Sequence, residues 1–358
     1  MFYWTRRRVI GSIVSAAVAT SAPLAFGQIT YPPPTEPIPP PESDPTLQPR
    51  PRGNRLPAST WPAVDPVIEG GFEQISTGHS WVEAPVWIGG RGGYLLFSDV
   101  PRSIIYKWDG RQTTEFLNPS GWAEPRRPDI IREGGVNGIV PARGGIVVCD
   151  SGNRCISWID LKTKKRTVLT ERFNGQRYNS PNDLTLARNG DLYFSDPPWG
   201  LIDVEKSPHR EMTYSGVFRL TPKNEVHLIT DKLFPNGIAL SPDNRTLYSS
   251  SRAGWMAYSL DRNGNVLGER VYVPSTVTGG GGDGMKIDRF GNLWATSRGH
   301  FHVFSPKGER FGMIEMPSGG SNLGWGPNNT IFISSGTDIL RARISDRFLK
   351  LAAEKARA

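Results

Sequence analysis

Tyr94-Leu95-Leu96-Phe97-Ser98-Asp99 is followed, at intervals of tens of residues, by five related strand cores. These are Ile146-Val147-Val148-Cys149-Asp150, Leu192-Tyr193-Phe194-Ser195-Asp196, Thr246-Leu247-Tyr248-Ser249-Ser250, Asn292-Leu293-Trp294-Ala295-Thr296 and Ile331-Phe332-Ile333-Ser334-Ser335. With Phe97, Val148, Phe194, Tyr248, Trp294 and Phe332 as markers, the steps are 51, 46, 54, 46 and 38 residues. After most cores comes a polar break and then a second alternating strand, as in Ile105–Gly110, Ile156–Asp160, Val217–Leu220, Phe301–Pro306 and Ile339–Ala342. A strand pair recurring at about 40–50 residues is the pattern of a four-stranded propeller blade. The chain therefore predicts an all-β fold, a six-bladed β-propeller of four-stranded blades, over residues 61–346. Val67–Ile75 is expected to supply a strand that closes the ring against the last blade. The tail, 347–358, has helix-forming composition and reads as a surface appendage.

Upstream of the repeats the composition changes twice. Residues 1–27 combine Arg6-Arg7-Arg8 with an acid-free run of apolar and small residues from Val9 to Phe26. This reads as an export signal of twin-arginine character, with an ordinary secretory signal or an uncleaved anchor as alternatives, and it predicts an exported, periplasmic protein without a stable membrane span after cleavage. Residues 28–60 are proline-rich, with Pro32-Pro33-Pro34 and Pro39-Pro40-Pro41. Proline fixes φ and lacks a backbone donor, so an extended, solvated leader is expected there. The chain carries 42 Lys and Arg against 34 Asp and Glu, a formal +8. No stripe of basic residues interleaved with aromatics occurs, and nucleic-acid binding is not expected. Cys149 and Cys155 flank what reads as a hairpin loop that would bring the thiols face to face; a disulfide and two unpaired thiols both fit.

Ten to fourteen residues before each marker stands an oxygen-bearing side chain: Glu83, Asn137, Asn182, Asn236, Asp283 and Asn322. The first strand of each propeller blade lines the central channel, so equivalent positions at its head converge on the axis. Carboxylate and amide oxygens without sulfur or imidazole suit a hard divalent ion, calcium first and magnesium or manganese next. Taken singly, Asn-Gly and Asp-Gly are more often turn pairs. Recurrence in register, and the Glu83-Ala84-Pro85 sequence that is no turn, favour a metal ring. No Gly-x-Ser-x-Gly elbow, His-Glu-x-x-His or Cys-x-x-Cys is present.

Several of these segments are also familiar as a set. Asn137-Gly138 through Asp150-Ser151-Gly152-Asn153-Arg154, Asn179-Ser180-Pro181-Asn182-Asp183, Tyr193–Gly200, Glu83–Trp87, Pro235-Asn236-Gly237-Ile238 and Asp283–Asp288 resemble the gluconolactonase branch of the senescence-marker/gluconolactonase/luciferin-regenerating-enzyme family, in order from Trp81 to Arg343. The resemblance implies a propeller with a divalent ion in its channel, often calcium, with zinc, magnesium or manganese as alternatives. Glu83, Asn182, Asn236 and Asp283 would be its ligands, and Asp283 the catalytic carboxylate. Asn137 would contact substrate or lie just behind the ligands. The implied activity is hydrolysis of a small lactone, such as a sugar lactone. Other lactones, phosphoester-like substrates and a non-enzymatic propeller with a structural metal are the alternatives. Three departures stand out: Ala84 where Gly is usual, Ser180 where some members carry a substrate-contacting Arg, and Arg298-Gly299-His300 in place of a small-residue stretch at one wall of the pocket.

Overall fold

A computed structural model describes residues 67–89, 92–122, 129–297, 299–316 and 319–357. The export segment, the proline-rich leader and Arg298 lie outside them. Six four-stranded antiparallel sheets form the six blades of a propeller. In chain order the innermost strands are Val82–Ile88, Val136–Ala142, Leu184–Leu186, Ile238–Leu240, Met285–Ile287 and Asn322–Trp325. These define blades 1 to 6. The six cores that mark the sequence repeat are the second strands: Tyr94–Asp99, Gly145–Asp150, Leu192–Asp196, Thr246–Ser251, Leu293–Ser297 and Thr330–Ser335. Every one is buried from its second residue to its last. A blade's second strand is packed on both faces by neighbouring blades, so it carries a continuous apolar run rather than an alternating one. Outermost strands such as Thr113–Leu117 and Val226–Thr230 keep exposed positions.

The ring closes as expected. Ile68–Ser76 pairs antiparallel with Asp338–Ile344 and becomes the fourth strand of blade 6. Arg343 pairs with Glu69 at 2.6 Å and Arg341 with Glu73 across this seam. Both pairs are exposed and contribute little; the apolar contacts beneath them carry the closure. Inside the ring, hydroxyls link neighbouring blades at several of the six junctions. Ser98 donates to the carbonyl of Val136, Ser195 to that of Asn236 (2.5 Å), Thr296 to that of Ser321 (3.3 Å), and Ser321 to that of Val82 (2.9 Å). Carbonyls at the head of one blade's first strand thus accept from the previous blade.

Two expectations need correction. The tail is not a surface appendage. Ser345 caps a helix, Asp346–Lys355, by accepting the N–H of Phe348 at 3.1 Å. Phe348 and Ala352 are fully buried, and the Phe348 ring packs against Phe311 and Trp294 at 5.5 and 5.7 Å. Gly312 makes room, since a Cβ there would lie 2.5 Å from that ring. Phe348→Ala is expected to cost about 3–5 kcal/mol, read as a lowered denaturant midpoint. An unchanged midpoint would mean that the helix is dispensable to the fold. The thiols, expected face to face, are not, and of the two alternatives the unpaired one holds. Cys149 is opposite Ile156 and Cys155 opposite Asp150, so the thiols point to opposite faces of the sheet, both buried and free. The hairpin register is one residue away from the one that would let them meet. Among the described residues no helix is long and apolar enough to cross a membrane.

Candidate metal and active site

Five of the six in-register residues converge. Glu83, Asn137, Asn182, Asn236 and Asp283 line a small hollow at the head of the inner strands, together with Trp81, Glu133 and Trp199. The Gly after Asn236 and after Asp283 is there for close approach, not for a turn. Neither has a positive φ. A Cβ on Gly237 would lie 2.3 Å from the carbonyl oxygen of Asp283, and one on Gly284 would lie 2.3 Å from Cγ of Asn322. At Gly237 neighbouring blades touch backbone to backbone, and at Gly284 backbone to side chain, so close that only glycine fits.

β-Bulges help aim two of the side chains. In blade 1, Glu83 faces Ser98 and Val86 faces Leu96, which leaves one extra residue in the inner strand. Blade 2 repeats the device between Val136 and Ile139, at Asn137. Such bulges turn side chains out of the regular alternation. The extra residue in blade 1 includes Ala84 at φ 48°, a left-handed conformation that accounts for glycine being usual at that place. Buried aspartates then fix the chain leading into the hollow. Asp99 accepts the N–H of Ser80 at 2.9 Å and of Trp81 at 3.3 Å, and the Trp81 indole donates to Glu83 at 3.2 Å. Asp196 does the same for Asn179 and Ser180, both at 2.8 Å, three and two residues ahead of Asn182. The Ser-Asp endings of these two strand cores were the available signal for that role.

The sixth residue, Asn322, sits apart from the hollow. It accepts from the Lys286 ammonium at 3.1 Å, and Lys286 pairs with Asp183 at 3.6 Å. Asp183 also accepts the N–H of Leu184 at 2.9 Å. This set compensates Asp183 with a cation. Ser180 is not brought to the hollow either. Its hydroxyl donates to the carbonyl of Pro197 (2.6 Å) and accepts from the N–H of Gly200 (2.8 Å), which ties it into the loop after the second strand of blade 3.

The electrostatics test whether a cation fits. Burial pushes the Glu83 carboxyl well above the usual carboxylate range, and the negative charges of Asp283 and Asp183 push it further; the Trp81 indole acts the other way. Buried like charges without a counter-charge are unfavourable. Among the described residues no three His, Cys, Asp or Glu side chains group to hold a metal by themselves. An ion here would therefore need the amide oxygens of the asparagines. Two carboxylates and neighbouring amides form an all-oxygen donor set, the chemistry that hard divalent cations take. The residues present fit such an ion.

Comparison with known proteins agrees with the geometry. Residues 81–337 match the family model described as SMP-30/Gluconolactonase/LRE-like region. The gluconolactonase of Zymomonas mobilis is 40% identical over 302 residues, spanning 79% of this chain and 84% of that protein. Among solved structures, a gluconolactonase of Xanthomonas campestris superposes with a TM-score of 0.65 at 27% identity, covering 78% of this chain and 92% of the other. A regucalcin of Agrobacterium tumefaciens shares the fold, with a TM-score of 0.59 at 17% identity over 76% of this chain and 92% of that one. The repeat, the converging axial residues and these matches make the chain a member of the SMP-30/gluconolactonase/LRE-like family.

Proposed function

We propose that the protein is a divalent-metal-dependent lactone hydrolase that opens a sugar lactone, such as gluconolactone, to the hydroxy acid. The observation that supports this most is the convergence of Glu83, Asn182, Asn236 and Asp283 on one hollow in a chain 40% identical to a gluconolactonase. In this reading those four residues hold one ion, calcium first on donor chemistry. The ion would supply positive charge for the carbonyl oxygen, which becomes negative as water adds to the carbonyl carbon. Asp283 takes a proton from the attacking water as its oxygen bonds to the carbonyl carbon. The bond from that carbon to the ring oxygen then breaks, and the proton passes to the departing alkoxide. Asn137 contacts the substrate. Arg6-Arg7-Arg8 and the apolar run behind them support action outside the cytoplasm.

The test is to purify the chain without residues 1–27, strip it with chelator, and follow acid release from a panel of lactones with calcium, zinc, magnesium or manganese restored. Turnover of aldonolactones that depends on added metal is expected. Undiminished turnover in the stripped protein removes the metal from the reading. No turnover of any lactone with any metal favours a binding propeller with a structural ion.

A further inference from the structure

Glu133 lines the hollow but has no place in the six-fold pattern. It comes from the connection between blades 1 and 2, where Ile131 bridges to Leu201. The N–H groups of Arg132 and Glu133 both reach the carbonyl of Gly200, at 2.8 and 3.2 Å. Arg132 then donates from Nε to the carbonyl of Trp199 at 2.8 Å and from Nη2 to Oε1 of Glu133. The carboxylate is thus held by a planar fork beside Trp199. Among the described residues its second oxygen, Oε2, has no hydrogen-bond partner, and the side chain is 15% exposed. It is fixed in place with an acceptor to spare.

The rest of the lining shows what that acceptor would meet. Among the described residues, two tryptophans, three asparagines and three carboxylates face the hollow, and no lysine, arginine or aliphatic side chain does. Arg132 balances the charge of Glu133 from behind, and one divalent ion would balance Glu83 and Asp283, but what Glu133 presents to the hollow is a bare acceptor oxygen. A ligand anion is repelled there, and a long acyl chain finds no apolar wall. Hydroxyl groups, in contrast, are donors that match carboxylate and amide oxygens, and tryptophan faces suit the C–H faces of a sugar ring.

We propose that Glu133 is the specificity-determining carboxylate of this site, accepting hydrogen bonds from substrate hydroxyls and selecting neutral polyhydroxylated lactones over anionic and long-chain acyl ones. This deepens the lactonase reading and rests on it. Glu133 acts on binding, while ring opening belongs to Asp283, so its loss is felt most by substrates that carry hydroxyls.

The experiment compares wild type, Glu133→Ala and Glu133→Gln on glucono-δ-lactone, on δ-valerolactone, which lacks hydroxyls, and on 6-phosphoglucono-δ-lactone, all with calcium present. Glu133→Ala is expected to raise KM for glucono-δ-lactone by about 10- to 100-fold, the effect of losing a hydrogen bond to a charged group, with a much smaller change in kcat. Its loss on δ-valerolactone should be far smaller, so the preference for the hydroxylated ring collapses. Glu133→Gln removes the charge with little change of shape, and should narrow the preference for the neutral over the phosphorylated sugar lactone by roughly tenfold. Equal losses on glucono-δ-lactone and δ-valerolactone, or unchanged KM in both variants, overturn the role of Glu133. Wild type that turns over none of the three lactones overturns the lactonase reading itself, which separates the two failures.

Discussion

Replacing Asp283 by asparagine is expected to lower kcat for a sugar lactone by roughly 100- to 10,000-fold without unfolding the propeller. The fold should survive because the backbone bonds of Asp283 are untouched by the change. Its N–H donates to the carbonyl of Thr296 at 3.2 Å, and its own carbonyl accepts from Gly237 at 3.1 Å. Asparagine keeps both and keeps the shape of the side chain. It loses the ability to take a proton from water, along with one of the two charges that would hold the ion. Calcium titration of the variant separates these losses. Binding weakened about 10- to 100-fold with turnover still absent at saturating calcium assigns a proton-transfer role. Turnover restored by excess calcium leaves Asp283 as a ligand only. Activity near wild type would sink both roles.

How far such a site can be read from the chain depends on whether a residue belongs to the repeat. Phe97, Phe194 and Phe332 announce their strands because a blade's second strand is buried on both faces and shows as a compact apolar run. Glu83, Asn137, Asn182, Asn236 and Asp283 could be found because equivalent positions in a closed ring must converge. Asn322 occupies an equivalent position but turns to Lys286, and nothing in its spacing distinguishes it from Asn236. Which of two adjacent residues, Asn182 or Asp183, faces the hollow depends on where Lys286 lies, a contact made about a hundred positions along the chain. Glu133 and Trp199 escaped notice for the opposite reason. They belong to connections unique to their blades, so periodicity does not reach them. Where Ser180 sends its hydroxyl is decided by its neighbours, not by its type. The docked helix depends on Phe348, whose pocket is created by the missing side chain of Gly312 in another blade strand.

Glu83→Gln should have opposite effects on stability and on activity. In the metal-free protein Glu83 is buried beside Asp283 and Asp183, and its carboxyl titrates well above the ordinary value of 4.5. A carboxyl with a raised folded-state pKa binds its proton more tightly folded than unfolded. Its contribution is therefore most favourable below about pH 4.5 and is lost as pH rises through the folded value. Chelated wild type should accordingly lose thermal stability from pH 5 to pH 8. Glutamine carries no charge at either pH, so the chelated variant should be more stable at pH 8 by about 1–3 kcal/mol, a few degrees in Tm. Calcium reverses the order. An ion at a hundred times its Kd stabilises wild type by about 2.7 kcal/mol, and more at pH 8 than at pH 5, because binding requires the ionised carboxylate. In the variant this shift should largely vanish together with turnover, since one of two ligand charges is gone. Scanning calorimetry of both proteins at the two pH values, with chelator and with calcium, reads all of these quantities. An undiminished calcium shift in Glu83→Gln would remove Glu83 from the ligand set. A metal-free variant no more stable than wild type at pH 8 would mean that the carboxylate repulsion at the axis is already relieved by the protein itself.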